Sequence, residues 1–397
     1  MGHPDYLTPE ALDVIAKARA LVPVLAERAA AAEAAGRVPQ QTIDDLKAAG
    51  LFRVLQPKLW GGLELDPRVF YAVQMTLAEG CMSTAWMYGV IGVHNWQLAL
   101  FPKAAQDEVW GRDTSTLIAS TYMPVGKCER VDGGWRMSGR WSFSSGSEHC
   151  QWIFLGALLP RRDGQPGIEH ATMLLPQGDF RIEKNWDVLG LRATGSHDIV
   201  VENAFIPDHR TQRTNDYSDE GCPGRVDHTS WLYRIPFIQV FQRAVSSACI
   251  GALDGAIHEF RRRAAAHVGK HGNKTAEDVN AQLAVAEAMM ATDQLRLVLN
   301  RNFATIVDNA RHGGRVMPVE ERLLQRAQSA AVPKVCSQHV NELLRCQAGS
   351  GVYKSNPVER IYRDINTARG HYANNADAYA RAHGGVMLGL PNTDPFV

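Results

Sequence analysis

The chain has 397 residues with 42 basic and 42 acidic side chains, and it is 45% hydrophobic and 21% charged. A formal net charge of zero argues against a nucleic-acid binder or a polybasic membrane-surface protein, and the apolar fraction is too high for a mainly disordered chain. The N-terminus lacks a basic start followed by an apolar run, and no stretch of ~18 uncharged apolar residues occurs, so neither a secretory signal nor a transmembrane helix is expected.

Three stretches differ in pattern. Residues 1–112 are expected to form an N-terminal α-helical domain. Val22, Leu25, Ala29 and Ala32 recur at helical spacing. Gly36–Gln41 breaks the pattern, Ile43, Leu46 and Leu51 suggest a second short helix, and helical periodicity returns from Val69 to Phe101. Residues 113–212 turn to Gly, Ser, Thr and β-branched residues in period-2 runs. A hairpin is expected at Asp132-Gly133-Gly134, with strands over Trp152–Leu159, Ala171–Leu175 and Asp198–Phe205. Residues 213–230 are polar, with Gly and Pro, and are expected to be a linker or exposed loop. Residues 231–397 return to helices, with long amphipathic segments near 243–267, 276–312 and 319–348. The order helical, β, helical implies a helical bundle interrupted by a β-barrel or sandwich. The seven cysteines are scattered and include no CxxC pair, which argues against a zinc site or disulfide framework and fits a reducing cytoplasm.

Three segments carry a resemblance to the acyl-CoA dehydrogenase fold. They are Gly139-Arg-Trp-Ser-Phe-Ser-Ser-Gly-Ser147, Gly190-Leu-Arg-Ala-Thr-Gly-Ser-His-Asp198, and Gly349-Ser-Gly-Val-Tyr353 followed by Pro357-Val-Glu-Arg-Ile-Tyr-Arg-Asp364. The implied fold class is α+β, mainly α: an N-terminal helical domain, a middle β-barrel or sandwich, and a C-terminal four-helix bundle. Most dehydrogenases of that fold place a catalytic Glu after a Tyr, some eight residues beyond the Arg-Asp pair. Here His371-Tyr372 occupies that position, so the carboxylate that would remove an α-proton is missing.

The departures match another branch. The chain resembles the oxygenase components of two-component flavin-dependent phenol hydroxylases, including the branches acting on 4-hydroxyphenylacetate and on steroid-derived phenols. Gly92-Val-His-Asn-Trp96 and Ser144-Ser-Gly-Ser-Glu-His149 are the specific runs. Ser83-Thr-Ala-Trp86, Trp60-Gly-Gly-Leu63 and Gly389-Leu-Pro391 extend the likeness over nearly the full length.

The resemblance implies FMNH₂ as cofactor, with FADH₂ as the alternative, delivered by a separate NAD(P)H-flavin reductase. It also implies O₂ as co-substrate, a C4a-hydroperoxyflavin, and hydroxylation ortho to a phenolic OH. By the same resemblance, Ser145 reaches N5 of the flavin, where a hydroxyl can donate or accept. Phe143 packs near the isoalloxazine, and Ser144 and Trp86 line its cleft. Ala348 and Gly349 allow a close backbone approach to the flavin. His371 stands near the reacting oxygen, with Tyr372 shaping the site. His94 meets the substrate phenol, and Ser120 meets substrate or flavin. His267 stands where relatives carry a phosphate-binding Arg, with Lys270 or Arg263 as substitutes. A homotetramer in the cytoplasm is implied, with no nucleic-acid or membrane partner. Still open are an N- or S-oxygenase of the same fold, a dehydrogenase with an unusual base, and a non-enzymatic scaffold.

Overall fold

The computed structural model describes residues 4–161, 166–213, 222–266, 274–313, 316–394 and 397. Helix α1 (Pro9–Ala35) starts at Thr8, whose Oγ1 accepts from the Ala11 N–H at 3.2 Å, with Pro9 in the first turn. Its inner stripe is Ala11, Val14, Ala18, Leu25, Ala29 and Ala32, which contains most of the face expected from spacing. α2 (Gln40–Ala48) follows, then α3 (Pro67–Gly80), which packs along α1. After the single residue Cys81 comes α4 (Met82–Leu98), and α5 (Lys103–Trp110) closes the helical stretch.

Every residue of α4 is buried. Its sequence offers no charged face, so the helix is stable only with partners on all sides. It finds them in α3, in the first strand of the sheet, and in three helices of the C-terminal part.

The strands are β1 (Ile118–Val131), β2 (Gly134–Ser144), β3 (Trp152–Pro160), β4 (Ile168–Pro176), β5 (Arg181–Glu183), β6 (His197–Pro207) and β7 (Thr211–Arg213). Their order is β5-β6-β2-β1-β3-β4-β7. The expected hairpin is present, with Val131 opposite Gly134. β1 belongs to two arms: its first half runs parallel to β3, its second antiparallel to β2, and the register shifts between Thr121 and Gly126. Trp141 fills the space between the arms. It is fully buried, with Nε1 donating to the Gly156 carbonyl at 2.9 Å.

The C-terminal helices are α6 (Phe237–Ala244), α7 (Ala248–Ala266), α8 (Val279–Arg311), α9 (Val319–Arg345), α10 (Pro357–Arg369) and α11 (Ala376–Met387). α7, α8, α9 and α10 form the expected bundle. The segment expected as one helix from 243 to 267 is two, because the N–H groups of Ser246 and Ser247 both turn back to the Arg243 carbonyl. The Ser246 hydroxyl pairs instead with Ser329 of α9 at 3.0 Å. The described part of the expected linker is packed rather than exposed at two points: Cys222 is buried, and the Gly224 N–H donates to Leu100 at 3.1 Å. Among the described residues, no helix is long and apolar enough to cross a membrane.

The sheet and the bundle are pinned together at residues 189–196. The Leu191 N–H donates to Oδ1 of Asp364 on α10 at 2.6 Å, and Arg363 donates to the Leu189 carbonyl at 3.0 Å. Arg363 also pairs with Glu33 of α1 and Glu359 of α10, so one guanidinium joins three layers. Gly190 is required by this contact: a Cβ there would lie 2.2 Å from the Arg363 carbonyl oxygen.

Candidate active site

β2 ends in a bulge that sorts three consecutive side chains. The register slips between Trp141 and Ser144, and Phe143 takes a left-handed φ of 69° while the Ser145 N–H bonds back to its carbonyl. Phe143 is thereby turned outward, 63% exposed, and meets Trp186 edge-on at 6.1 Å. Ser144 and Ser145 turn inward and are buried. A bulky residue at positive φ costs of the order of 1–3 kcal/mol and persists where the surroundings enforce it. Of the five such non-glycine residues among those described, Phe143 and Leu191 fall in two of the segments that carry the fold resemblance, and Ala348 directly precedes the third. Gly146 follows with φ 69°, and its N–H donates to the Thr194 carbonyl at 2.8 Å, tying the bulge to the 190–196 segment.

Three residues from distant parts of the chain meet here. Trp86 of α4 donates its indole N–H to Ser145 Oγ at 3.3 Å, and its ring meets His371 edge-on at 5.6 Å. Ser145 Oγ lies 2.8 Å from Ser196 Oγ, which lies 2.6 Å from Thr194 Oγ1, which donates to the Leu191 carbonyl at 2.8 Å. Ser196, Thr194 and Leu191 had no individual role in the sequence reading. The signal was there: Thr and Ser two apart, after a glycine that must dock.

His371 sits just beyond α10. Its Nδ1 accepts from the Ala373 N–H at 3.1 Å, and burial pushes its pKa down to about 4. The neutral ring therefore carries its proton on Nε2 and presents a donor. Tyr372 is 63% exposed and stacks edge-on with Tyr379.

His94 has the opposite tautomer. It lies two turns beyond Trp86 on α4, about 12 Å along the axis. Its Nδ1 is 2.5 Å from the Ile118 carbonyl, so Nδ1 holds the proton and Nε2 holds a bare lone pair. Burial lowers its pKa to about 4. Nε2 is buried and has no partner among the described residues. The ring meets Phe154 and Tyr122 edge-on at 5.5 and 6.2 Å, and Tyr122 in turn meets Phe237 and Phe241 of α6. Strand alternation puts Ser120 on the same face of β1 as Ile118 and Tyr122. The sequence reading missed Tyr122, Phe237 and Phe241, since nothing local distinguishes them from core aromatics.

The other expected site residues lie apart. Ala348 and Gly349 occupy an exposed turn packed on α9 and α10. No hydrogen bond or ring contact among the described residues joins them to Ser145 or His371. Ser144 is fully buried, with its hydroxyl unpartnered among the described residues. Arg263 bonds Glu259 at 2.6 Å, while His267 and Lys270 lie outside the described residues. The arrangement fits a reduced flavin: one buried hydroxyl with a spare lone pair, a neutral imidazole donor beside it, and an exposed aromatic pair at Phe143 and Trp186.

Comparison with known proteins places the chain in a class. The description "Acyl-CoA dehydrogenase, N-terminal domain" matches residues 8–115, and "Acyl-CoA dehydrogenase, C-terminal domain" matches 244–376. The expected fold class therefore holds. The flavin-dependent monooxygenase oxygenase subunit HsaA of Rhodococcus jostii is 35% identical over 387 residues, 95% of this chain and 99% of that protein. The oxygenase component of an FADH2-dependent resorcinol hydroxylase from a Rhizobium species is 34% identical, over 90% of each chain. The crystal structure of 3-HSA hydroxylase from Rhodococcus sp. RHA1 superposes with a TM-score of 0.91 at 34% identity, covering 99% of this chain and 100% of that one. The chain belongs to the oxygenase components of the two-component flavin-dependent monooxygenases. It is an enzyme that uses reduced flavin, and a separate reductase supplies it.

Proposed function

We propose that the chain inserts one oxygen atom ortho to the hydroxyl of a phenol. The observation that carries this reading is the bare, buried Nε2 of His94 inside an aromatic cage. A buried acceptor without a partner costs free energy, which a bound hydroxyl donor would recover. A phenol brings that donor and a ring that suits Tyr122, Phe237 and Phe241. Reduced flavin, once bound, activates O₂ and supplies the oxygen atom.

As the ring is oxygenated, its hydroxyl becomes strongly acidic, and a weakly basic imidazole suffices to take the proton at Nε2. Ser120 offers a second polar contact on the same side. Ser145 meets N5 of the flavin, His371 donates from Nε2 to the oxygen being transferred, and Trp86 walls the cleft from water. Phe143, Ser144 and Tyr372 border the cofactor in this reading. Ala348 and Gly349 reach a flavin across a subunit contact of a homotetramer. FMNH₂ or FADH₂ comes from an NAD(P)H-dependent reductase in the cytoplasm. The sequence similarity to HsaA and to a resorcinol hydroxylase supports a phenolic substrate.

The test supplies photoreduced FMN or FAD and O₂ with a panel of phenols, thioethers and amines. A catechol one oxygen heavier than its phenol is the expected product. Sulfoxides or hydroxylamines without catechols would replace this reading with an S- or N-oxygenase.

A further inference from the structure

The hydroxyl chain beside Trp86 has a forced direction. A carbonyl cannot donate, so Thr194 gives its single proton to Leu191. Thr194 must then accept from Ser196, and Ser196 from Ser145. Ser145 accepts from the Trp86 indole, which is only a donor. Every bond points the same way, and Ser145 is left with one lone pair and no proton to offer. The far end is fixed: Leu191 is held by Asp364 through its N–H, and its carbonyl also accepts from Trp186 Nε1 at 3.0 Å.

We propose that the Ser145–Ser196–Thr194 chain sets the redox preference of the flavin site by making Ser145 a pure acceptor. A reduced flavin carries N5–H and can donate to Ser145. An oxidised flavin has a bare N5 and needs a donor. To provide one the chain must reverse, and the Thr194–Leu191 bond is given up. Reversal therefore cancels the bond gained at N5, and the discrimination is worth about one hydrogen bond, roughly threefold to tenfold in affinity. A hydroxyl can in general donate or accept at N5, and on this proposal the chain leaves Ser145 only the accepting role. Ser196 and Thr194 are positioning residues that act through Ser145. The proposal rests on the reading that Ser145 meets N5.

The experiment measures dissociation constants for oxidised FMN, by quenching of its fluorescence, and for dithionite-reduced FMN, by anaerobic ultrafiltration. Ser196→Ala frees the Ser145 proton, and Thr194→Val lets Ser196 turn, so each should lower the oxidised-to-reduced ratio of dissociation constants by about threefold to tenfold. Thr194→Ser keeps the chain and should keep the wild-type ratio. Melting curves identify any variant that fails to fold, and the two chain-breaking variants test the same link separately. If both leave the ratio unchanged while Ser145→Ala weakens reduced FMN, the polarity argument is wrong and Ser145 still meets the flavin. If Ser145→Ala changes neither constant, the contact at N5 is itself wrong.

Discussion

Helix α4 carries two sites of opposite character, eight residues apart. At its Trp86 end the polar groups satisfy one another in an unbroken run from Trp86 to Leu191. At its His94 end one buried imidazole nitrogen has no hydrogen-bond partner among the described residues, and the ring lies against aromatic side chains. The first end is built before any ligand arrives, and its geometry is fixed by neighbours. The second is left short of one hydrogen bond among the described residues, which a bound ligand can supply. A cofactor site that must hold one orientation favours the first design. A substrate site that must bind, react and release favours the second.

The largest effect should come from the unsatisfied end. His94→Ala should lower product formation by about 10²–10⁴-fold while reduced flavin is still oxidised. Product per flavin consumed is the measurement. Unchanged coupling would place substrate elsewhere.

The satisfied end is probed through Asp364. Burial raises its pKa from 3.8 to about 7, so between about pH 4 and pH 7 the folded chain holds a proton that the unfolded chain has lost. Its contribution is full below about pH 4 and falls as the pH rises through 7. Asp364→Asn keeps an acceptor for Leu191 and removes the titration. Its stability relative to wild type should rise between pH 5 and pH 8 by up to about 3 kcal/mol in urea melts. A flat difference would show that the carboxyl titrates normally.

The histidines give the opposite slope. His94 and His371 titrate at about 4, below the usual 6.5, so the unfolded chain binds protons that the folded one refuses. Their contribution is complete above about pH 6.5 and disappears as the pH falls through 4. Replacing His94 by Gln should reduce the stability lost between pH 7 and pH 4.5 by up to about 2 kcal/mol. An equal loss in both proteins would mean that the ring is hydrated.

The smallest effect separates neighbouring serines. The Ser144 hydroxyl is buried without a partner among the described residues, so Ser144→Ala should shift stability by less than about 1 kcal/mol, or raise it. If it instead weakens FMN binding, the Ser144 hydroxyl itself bonds the cofactor rather than only bordering it.

Much of this was legible in the chain. Period-2 and helical spacing located the hairpin, β3, β4, β6 and the long helices, because each needs one apolar face against a core. The replacement of a Tyr-Glu pair by His371-Tyr372 argued against the dehydrogenase, since a missing carboxylate is visible without coordinates. His94, Ser145 and Trp86 could be singled out by motif. Their tautomers and bond directions could not, because these depend on the carbonyls of Ile118 and Leu191 and the amide of Ala373. Likewise Ser196 and Thr194 had no individual role in the sequence, and only the docking of Gly190 on α10 brings them beside Ser145. The sequence by itself determined which groups exist and the helical–β–helical order that carries them. The tertiary structure alone decided which way their protons point, because a hydroxyl or imidazole takes its polarity from neighbours that lie far away in the chain.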